Sequence, residues 1–481
     1  MVKAKHLNPF SEDLILDRLR FENPWWLSGK TEDYYNELNR RLYFDLFFPL
    51  VIESSIQRAV VLMGPRRVGK TVMMHHTIQH LLNLKVPAKK ICFINIENPI
   101  YNNISLDQLF QFAKKATGLK DNKGWYIFLD EIQYLKDWEV HLKVLVDSYP
   151  HVKFIASGSA AAALKLKSNE SGAGRFTDFL LPPLTFNEYI SLKDLGGLII
   201  PAVSEWSGNP RQSYSTINIK ELNKHFIDYI NFGGYPEVIF NETIRANPGR
   251  YIRSDIVDKV LLRDLPSLYG IQDVQELNSL FTTLAYHSGQ ETSLEGLSKA
   301  SHVDKYLLKK YLEYLEAAFL IRIVHRVDDT AKKFRRMNFF KVYLTNPSLR
   351  SALFSPLQPN DDMLGSMVET AIYSQWMHRE WFTPWYSRWN SGEVDMIGLD
   401  EKKMKPLWAL EIKWSNRYFE SPGSLKSLIQ FCHKNKLKEA LSTTIDKEGK
   451  KEISGVTIYY LPASVYAYIV SSNTLDYKLK K

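Results

Sequence analysis

The chain has 481 residues, of which 45% are apolar and 24% are charged, and its formal net charge is +9 at pH 7. This length predicts about three domains, and the composition is that of an ordinary globular protein. No apolar run reaches the roughly 18 residues that a membrane-spanning helix needs, so we expect no membrane partner. The modest positive charge permits an anionic partner such as nucleic acid but does not by itself indicate one.

The beginning of the chain and its cysteines predict a cytoplasmic protein. Residues 1–22 carry both acidic and basic side chains and lack the apolar segment of a signal peptide. The two cysteines, Cys92 and Cys432, lie far apart in largely apolar surroundings. We therefore predict reduced core cysteines rather than a disulfide or a metal site.

The first predicted elements form a strand, a loop and a helix that suit a phosphate-binding P-loop. An apolar strand, residues 59–63, precedes a stretch that fits G-x-x-x-x-G-K-[ST], and residues 72–82 predict the following helix. In this setting backbone N–H groups would hold the phosphates of ATP, Lys70 would reach the β- and γ-phosphates, and Thr71 would bind Mg²⁺. The predicted nucleotide-binding residues are Gly64, Pro65, Arg66, Arg67, Val68, Gly69, Lys70, Thr71 and Val72.

A second apolar strand, residues 125–129, ends at two acids. A strand that delivers two carboxylates downstream of a P-loop is the Walker B arrangement. Asp130 would hold Mg²⁺ directly or through water, and Glu131 would orient and polarise the attacking water. The simpler alternative is an acidic cap at the start of the next helix, which residues 138–148 predict.

Residues 153–159 predict another parallel strand that ends in small polar residues. In P-loop ATPases of this class, the strand after Walker B carries a polar residue, called sensor 1, that contacts the γ-phosphate or the water. Ser157 and Ser159 both fit by position, and a plain strand-to-helix turn is an equal alternative. Further on, Arg175 is a candidate arginine finger, acting in cis or in trans; the alternative is an arginine that pairs with a carboxylate.

Taken in order, these motifs resemble a known family. After the P-loop, the acidic strand and the Ser-Gly-Ser strand come Gly174-Arg175, Pro183 to Tyr189 and a Gly-Gly-Tyr-Pro turn at residues 233–236. This order resembles prokaryotic ATPases of the AAA superfamily that carry a C-terminal nuclease-like domain of unknown function. The resemblance covers about residues 40 to 420. It implies an α/β fold with a P-loop NTPase parallel sheet of AAA type, a helical lid, a winged helix and a restriction-endonuclease-like α/β domain.

The middle of the chain predicts a surface loop, a lid and then a winged helix. Residues 204–215 are rich in Ser, Gly, Pro and Asn and predict a loop, and residues 220–268 predict helices. Three further helices and two strands over residues 274–344 suit a winged helix. The basic residues on its third helix and wing are either phosphate contacts on DNA or a solvated face. They are Lys305, Lys309, Lys310, Lys332, Lys333, Arg335 and Arg336.

The last part of the chain predicts a second site. A helix over residues 365–376 carries Glu369, a strand over residues 392–399 carries Asp395, and a strand over residues 408–414 carries Glu411 and Lys413. Residues two apart on a strand face the same way, so Glu411 and Lys413 project from one face. Asp395 and Glu411 would bind Mg²⁺, Lys413 would hold or activate water, and Glu369 could supply a further carboxylate. This is similar to the D-(D/E)xK nuclease pattern; the alternative is a nuclease fold kept as a scaffold.

These expectations divide the chain into an N-terminal extension and four domains. Their boundaries are 1–40 for the extension, 41–200 for the ATPase core, 201–268 for the lid, 269–350 for the winged helix and 351–481 for the nuclease-like domain. The leading hypothesis is an ATPase that acts on DNA. A signalling switch with an inactive nuclease-like domain and a DNA motor or clamp, working as an ATP-dependent homo-oligomer, are the alternatives.

Overall fold

The computed structural model describes residues 10–159, 174–206, 209–332, 338–379, 381–400, 402–403 and 405–480. The chain divides into two compact units, Met1–Pro182 and Pro183–Lys481. No helix in these described ranges is both long enough and apolar enough to cross a membrane.

The first unit is built around a five-stranded sheet. Its strands are β1 (Ala59–Met63), β2 (Ile91–Asn95), β3 (Trp125–Asp130), β4 (Val152–Gly158) and β5 (Phe176–Leu180). All neighbouring strands are parallel and their order is β2-β3-β4-β1-β5. β1 is buried along its whole length, as its uninterrupted apolar sequence requires. Because the strands are parallel, the residues that follow β1, β3 and β4 meet at one edge of the sheet.

Helices cover this sheet and fill the segment before it. They are α1 (Glu12–Glu22), α2 (Trp25–Ser28), α3 (Asp33–Asn36), α4 (Phe44–Ile52), α5 (Lys70–Asn83), α6 (Leu106–Thr117) and α7 (Trp138–Ser148). α6 begins with a complete capping box between Ser105 and Gln108 and ends at Gly118, which has a φ of 74°. The N-terminal helices belong to this unit: Trp25 and Trp26 both donate their indole N–H to the carbonyl of Ile91 on β2.

The second unit contains the remaining elements. Its helices are α8 (Phe186–Leu192), α9 (Ile219–Phe232), α10 (Pro236–Phe240), α11 (Glu242–Ala246), α12 (Leu265–Tyr269), α13 (Val274–Tyr286), α14 (Leu294–Ser301), α15 (Lys305–Ala317), α16 (Ser348–Leu353), α17 (Leu364–Trp376), α18 (Arg417–Glu420), α19 (Lys426–Asn435) and α20 (Ala463–Leu479). Between α11 and α12 the chain forms two π-helical segments, Gly249–Asp258 and Val260–Asp264.

The strands of the second unit form one large sheet and one hairpin. They are β6 (Ile199–Trp206), β7 (Asn209–Thr216), β8 (Glu291–Ser293), β9 (Ile321–Val327), β10 (Phe339–Leu344), β11 (Trp385–Trp389), β12 (Gly392–Asp400), β13 (Lys405–Glu411), β14 (Glu439–Thr444), β15 (Gly449–Ile453) and β16 (Val456–Pro462). β6 and β7 pair with each other, and the other nine strands lie in the order β15-β16-β14-β13-β12-β11-β9-β10-β8. One apolar cluster packs α17 and α20 with this sheet, and a second packs α19.

Two expectations change at this level. The predicted loop over residues 204–215 is wrong, because strands β6 and β7 pair in antiparallel register from Ile199–Thr216 to Trp206–Asn209. Lys413 lies beyond the end of β13 at Glu411, so it is not on the strand as predicted. The helices and strands expected over residues 274–344 are present, and β9 also pairs in parallel with β11. The finer domain boundaries given above stay predictions.

Candidate nucleotide site and carboxylate cluster

The P-loop of the first unit connects β1 to α5 as the sequence predicts. Gly69 precedes the helix with a φ of 92°, a left-handed conformation that glycine adopts without strain. Gly64 is equally restricted, because a Cβ atom there would lie 2.1 Å from the carbonyl oxygen of Leu181. The buried Nζ of Lys70 donates to the carbonyl oxygens of Pro65 and Gly64, at 2.9 Å and 3.1 Å. The Lys70 ammonium group therefore lies within the P-loop, where it is expected to bind phosphate.

Asp130 and Thr71 are joined by a direct hydrogen bond. The Thr71 hydroxyl donates to one carboxylate oxygen of Asp130 at 2.8 Å, and the Ser157 hydroxyl donates to the other. Burial, followed by the nearby Glu131 charge, raises the pKa of Asp130 to about 6. Thr71 is on α5, Asp130 on β3 and Ser157 on β4. The edge of the sheet therefore brings together the P-loop helix and the ends of the two strands β3 and β4.

Glu131 and its neighbours complete this edge. Glu131 has a φ of 55° and its backbone N–H donates to Ser157 Oγ at 3.0 Å. The side-chain amide of Gln133 donates to the Glu131 carboxylate, and its carbonyl oxygen accepts from the Ser159 N–H at 3.2 Å. Ser159 Oγ is buried and has no hydrogen-bond partner in the described part of the chain. Ser157 thus contacts Asp130 directly, whereas Ser159 offers an unused hydroxyl.

Arg175 lies immediately before β5 and forms an ion pair with Asp147 at the end of α7. Both side chains are partly exposed. This pairing with a carboxylate is the alternative that the sequence left open. A finger role for Arg175 stays a prediction.

Two residues of this site were not predicted from the sequence. Arg41 is buried, and its guanidinium donates to the carbonyl oxygens of Val68 in the P-loop at 3.0 Å and of Pro182 at 2.8 Å. Gln133 bridges Glu131 and Ser159, as described above. Arg41 follows Arg40 in a polar stretch that reads as solvated charge. Gln133 follows Walker B closely enough to have been considered.

These residues fit a magnesium nucleotide. Thr71 and Asp130 supply the hydroxyl and carboxylate oxygens that Mg²⁺ prefers, and Lys70 and the loop supply donors for phosphate oxygens. The Ser159 hydroxyl, which has no partner within the described ranges, lies at the same edge. Mg²⁺ bound here would neutralise charge that develops on the phosphates.

The second unit brings together three of the four residues predicted for its own site. Lys413 Nζ lies 3.1 Å from Asp395 Oδ2 and 2.8 Å from Glu411 Oε1. Asp395 Oδ2 also accepts from the Ile412 N–H at 2.8 Å. The chain beyond β13 therefore returns Lys413 to the two acids although it is outside the strand. Thr443 holds this turn, accepting from the Lys413 N–H at 2.7 Å and donating to its carbonyl oxygen at 2.8 Å.

Burial and neighbouring charges shift the pKa values of both acids in this cluster. Desolvation and the Asp395 charge raise the pKa of Glu411 to about 8, and Glu411 Oε2 has no hydrogen-bond partner among the described residues. Burial opposes ionisation of Asp395 as well, but Lys413 and Lys341 keep the pKa of its carboxyl below the ordinary value. Within the described ranges no group of three His, Cys, Asp or Glu side chains is arranged to hold a metal ion.

Glu369 makes its own hydrogen bonds and ion pair with residues other than Asp395, Glu411 and Lys413. Its Oε1 accepts from the Tyr343 hydroxyl at 2.5 Å and lies 3.1 Å from Lys341 Nζ. Lys341, on β10, was missed by the sequence reasoning. A lysine inside an otherwise apolar strand, Phe339–Leu344, could have been singled out as a site residue. The residues around it in the sequence do not indicate that Glu369 is its partner.

Comparisons with known proteins agree with the N-terminal part of this description. Residues 56–190 match the family model of the AAA domain. The first unit has the fold of an AAA-type P-loop domain. Residues 223–361 match a domain of unknown function, DUF8612. The restriction-endonuclease-like assignment of the C-terminal region stays a prediction.

Related sequences cover most of the chain at low identity. It is 25% identical over 380 residues to the uncharacterized protein MJ1544 of Methanocaldococcus jannaschii, covering 76% of this chain and 78% of the relative. An uncharacterized protein of Haemophilus influenzae is 23% identical over 408 residues, covering 83% and 92%.

Solved structures resemble the chain only distantly. The Aeropyrum pernix ORC2 protein in its ADP form has a TM-score of 0.34 at 12% identity, covering 72% of this chain and 97% of that one. The Aeropyrum pernix ORC1 protein in complex with DNA has a TM-score of 0.28 at 11% identity, covering 73% and 94%.

Proposed function

We propose that the first unit binds and hydrolyses Mg²⁺–ATP. The observation that carries this proposal is the hydrogen-bonded chain from Thr71 through Asp130 to Ser157 beside the buried Lys70. Two oxygens for a metal, a cation for phosphate and a polar contact from the neighbouring strand are the parts that phosphoryl transfer to water requires.

Each residue has a separate task in this proposal. Lys70 leaves the loop carbonyls to bind the β- and γ-phosphates, and Thr71 and Asp130 hold the metal. Glu131 accepts the proton of the attacking water, and Gln133, which contacts its carboxylate, fixes its direction. Ser157 keeps Asp130 in place, and Ser159 has the free hydroxyl for the γ-phosphate or the water.

Lys70→Ala tests the nucleotide site directly. We expect it to weaken ATP binding by at least about tenfold, because each charge-assisted contact to phosphate contributes about 1.5–3 kcal/mol. Binding of a fluorescent ATP analogue measures this effect. The matched control is Lys89→Ala, which removes an exposed lysine from the same unit. Tight ATP binding by Lys70→Ala would show that the P-loop does not hold the phosphates.

A second function, Mg²⁺-dependent cleavage of DNA phosphodiester bonds, is proposed for the second unit. The specific observation is the convergence of Asp395, Glu411 and Lys413, with a buried Glu411 oxygen that has no hydrogen-bond partner among the residues the structure describes. An unpaired buried carboxylate oxygen is costly, and a bound cation would satisfy it. In this proposal Asp395 and Glu411 bind the metal and Lys413 orients or activates the water.

DNA is the proposed substrate because of the segment from α13 to β10. Three helices followed by strands in the order β9-β10-β8 suit a winged helix. The third helix, α15, exposes Lys305, Lys309 and Tyr306, and Lys310 lies over the Tyr306 ring at 4.5 Å. Lys332 is exposed, while Lys333, Arg335 and Arg336 lie outside the described residues. A cytoplasmic location and ATP-dependent homo-oligomers also remain proposals.

Incubation with supercoiled and linear duplex DNA, with Mg²⁺ or Mn²⁺, tests the second function. We expect metal-dependent cleavage that Lys413→Ala reduces at least about 100-fold, since such groups contribute 10²–10⁴-fold. The control is Lys450→Ala, an exposed lysine on β15. No cleavage by the unmodified protein under any of these conditions would favour the switch, and ATP turnover stimulated by intact DNA would favour the motor or clamp.

A further inference from the structure

Lys341, on β10, forms ion pairs with Glu369 and Glu393. We propose that Lys341 is an internal counter-cation that pairs with Glu369 when no metal is bound, so that a divalent cation entering the cluster competes with Lys341 for Glu369. This inference rests on the proposed metal site of the second unit. It assigns Lys341 a positioning role that the sequence motif does not contain.

The contacts of Lys341 are those of a buried bridge between two acids. The residue is 3% exposed, and its Nζ lies 3.1 Å from Glu369 Oε1 and 2.6 Å from Glu393 Oε1. It also lies over the Tyr386 ring at 5.3 Å. Lys413 makes the equivalent bridge between Asp395 and Glu411. The cluster therefore consists of two lysines, each shared by two carboxylates.

Two stacked tyrosines place Glu369 beside Asp395. The rings of Tyr343 and Tyr373 stack with their centroids 4.0 Å apart. The Tyr343 hydroxyl donates to Glu369, and the Tyr373 hydroxyl donates to the carbonyl oxygen of Asp395. Glu369 and Tyr373 lie one turn apart on α17, so the carboxylate faces the cluster from the same side of the helix. Through the Tyr343–Tyr373 pair, Glu369 is placed to join a metal site once Lys341 releases it.

The charges explain why a cation would release it. A divalent ion bound by Asp395 and Glu411 repels a neighbouring ammonium group in a buried setting, where screening is weak. Glu393 retains a second partner, because Arg388 lies 3.3 Å from it. A buried lysine paired with two acids seldom makes a fold more stable than apolar side chains of similar volume would. We therefore infer that Lys341 has a role other than stability. Competition for Glu369 provides one.

The test is a Mn²⁺ titration of the full chain without nucleotide, with free Mn²⁺ followed by electron paramagnetic resonance. Asp395→Ala identifies the binding that belongs to this cluster. We expect Lys341→Met to tighten that binding by about tenfold or more, because it removes the positive charge that lies 3.1 Å from Glu369 and competes with the metal ion for it. Lys341→Arg, which keeps the charge, should stay within about threefold of the unmodified protein.

The double variant Lys341→Met/Glu369→Gln separates this role from a merely structural one. The double variant removes one positive and one negative charge, so it leaves no unpaired buried charge. We therefore expect it to fold even if the single Lys341→Met variant does not accumulate. We expect it to lose the tightening, because Glu369 is then no longer a carboxylate ligand. Unchanged or weaker Mn²⁺ binding in Lys341→Met, or tightening that persists in the double variant, would overturn the proposal while leaving the metal site intact. Mn²⁺ binding that Asp395→Ala does not reduce would overturn both.

Discussion

At the scale of single residues, His75 shows how closely the N-terminal segment is fitted to the P-loop helix. Its ring stacks on Tyr35 with the centroids 3.7 Å apart, and its Nδ1 has no hydrogen-bond partner among the described residues. Burial lowers the pKa of His75 to about 3. Its neighbour His76 contacts the carbonyl oxygen of Tyr35 at 2.8 Å. The adjacent histidines are therefore packing residues, and the described residues hold no metal cluster around them.

This burial predicts an acid-sensitive N-terminal unit. The folded-state pKa of His75 is below the unfolded value near 6.5, so the unfolded chain binds more protons and stability falls as the pH drops from about 6.5 toward 3. Between pH 7.5 and pH 5.0 we expect a loss of about 2 kcal/mol that His75→Phe does not show. Urea unfolding at the two pH values measures it.

The control for this prediction is His151→Phe, which changes an exposed histidine of the same unit. It should retain the full pH dependence of the unmodified protein. If His75→Phe and the unmodified protein lose the same free energy of unfolding at pH 5.0, His75 does not remain neutral in the folded state.

At the scale of elements, the sequence predicted correctly those helices and strands whose pattern is set by residues close together in the chain. The apolar run before the P-loop became β1, and the helix over residues 138–148 has the predicted bounds. The hairpin β6–β7 was missed because β7, Asn209–Thr216, is mostly polar and has no apolar alternation, and it is a strand only through its pairing with β6. Lys341 and Arg41 were missed as site residues because their partners, Glu369 and Val68, are distant in the chain. Such contacts appear only once the strands and helices are assembled.

The exposed face of α15 carries a prediction about DNA. Replacing Lys305, Lys309 and Lys310 by Gln should weaken duplex binding and lower the slope of log affinity against log salt by about 2 to 3, since each phosphate contact releases about 0.9 counterion. Fluorescence anisotropy at several salt concentrations measures the slope. The matched control replaces Lys402, Lys403 and Lys405, three exposed lysines from the end of β12 to the first residue of β13. Equal slopes in the two triple variants would indicate that α15 is a solvated or packing face.

At the scale of the whole molecule, the chain combines two compact units that each hold a candidate site. The first has an AAA-type P-loop domain in which Asp130 accepts hydrogen bonds from Thr71 and Ser157, and these are residues of the proposed nucleotide site. The second has a buried carboxylate–lysine cluster in a nine-stranded sheet. The order of motifs indicated both sites, whereas the ion pairs that hold Glu369 and Arg175 in other contacts emerged only from the folded chain.

Turnover of Mg²⁺–ATP by the full chain tests the central claim most directly. Phosphate release and ATP affinity should be measured for the unmodified protein and for Glu131→Gln. The account predicts unchanged ATP affinity and phosphate release at least about 100-fold slower in Glu131→Gln, because the general base is lost while the phosphate-binding loop is kept. Equal rates of phosphate release in the two proteins would contradict it.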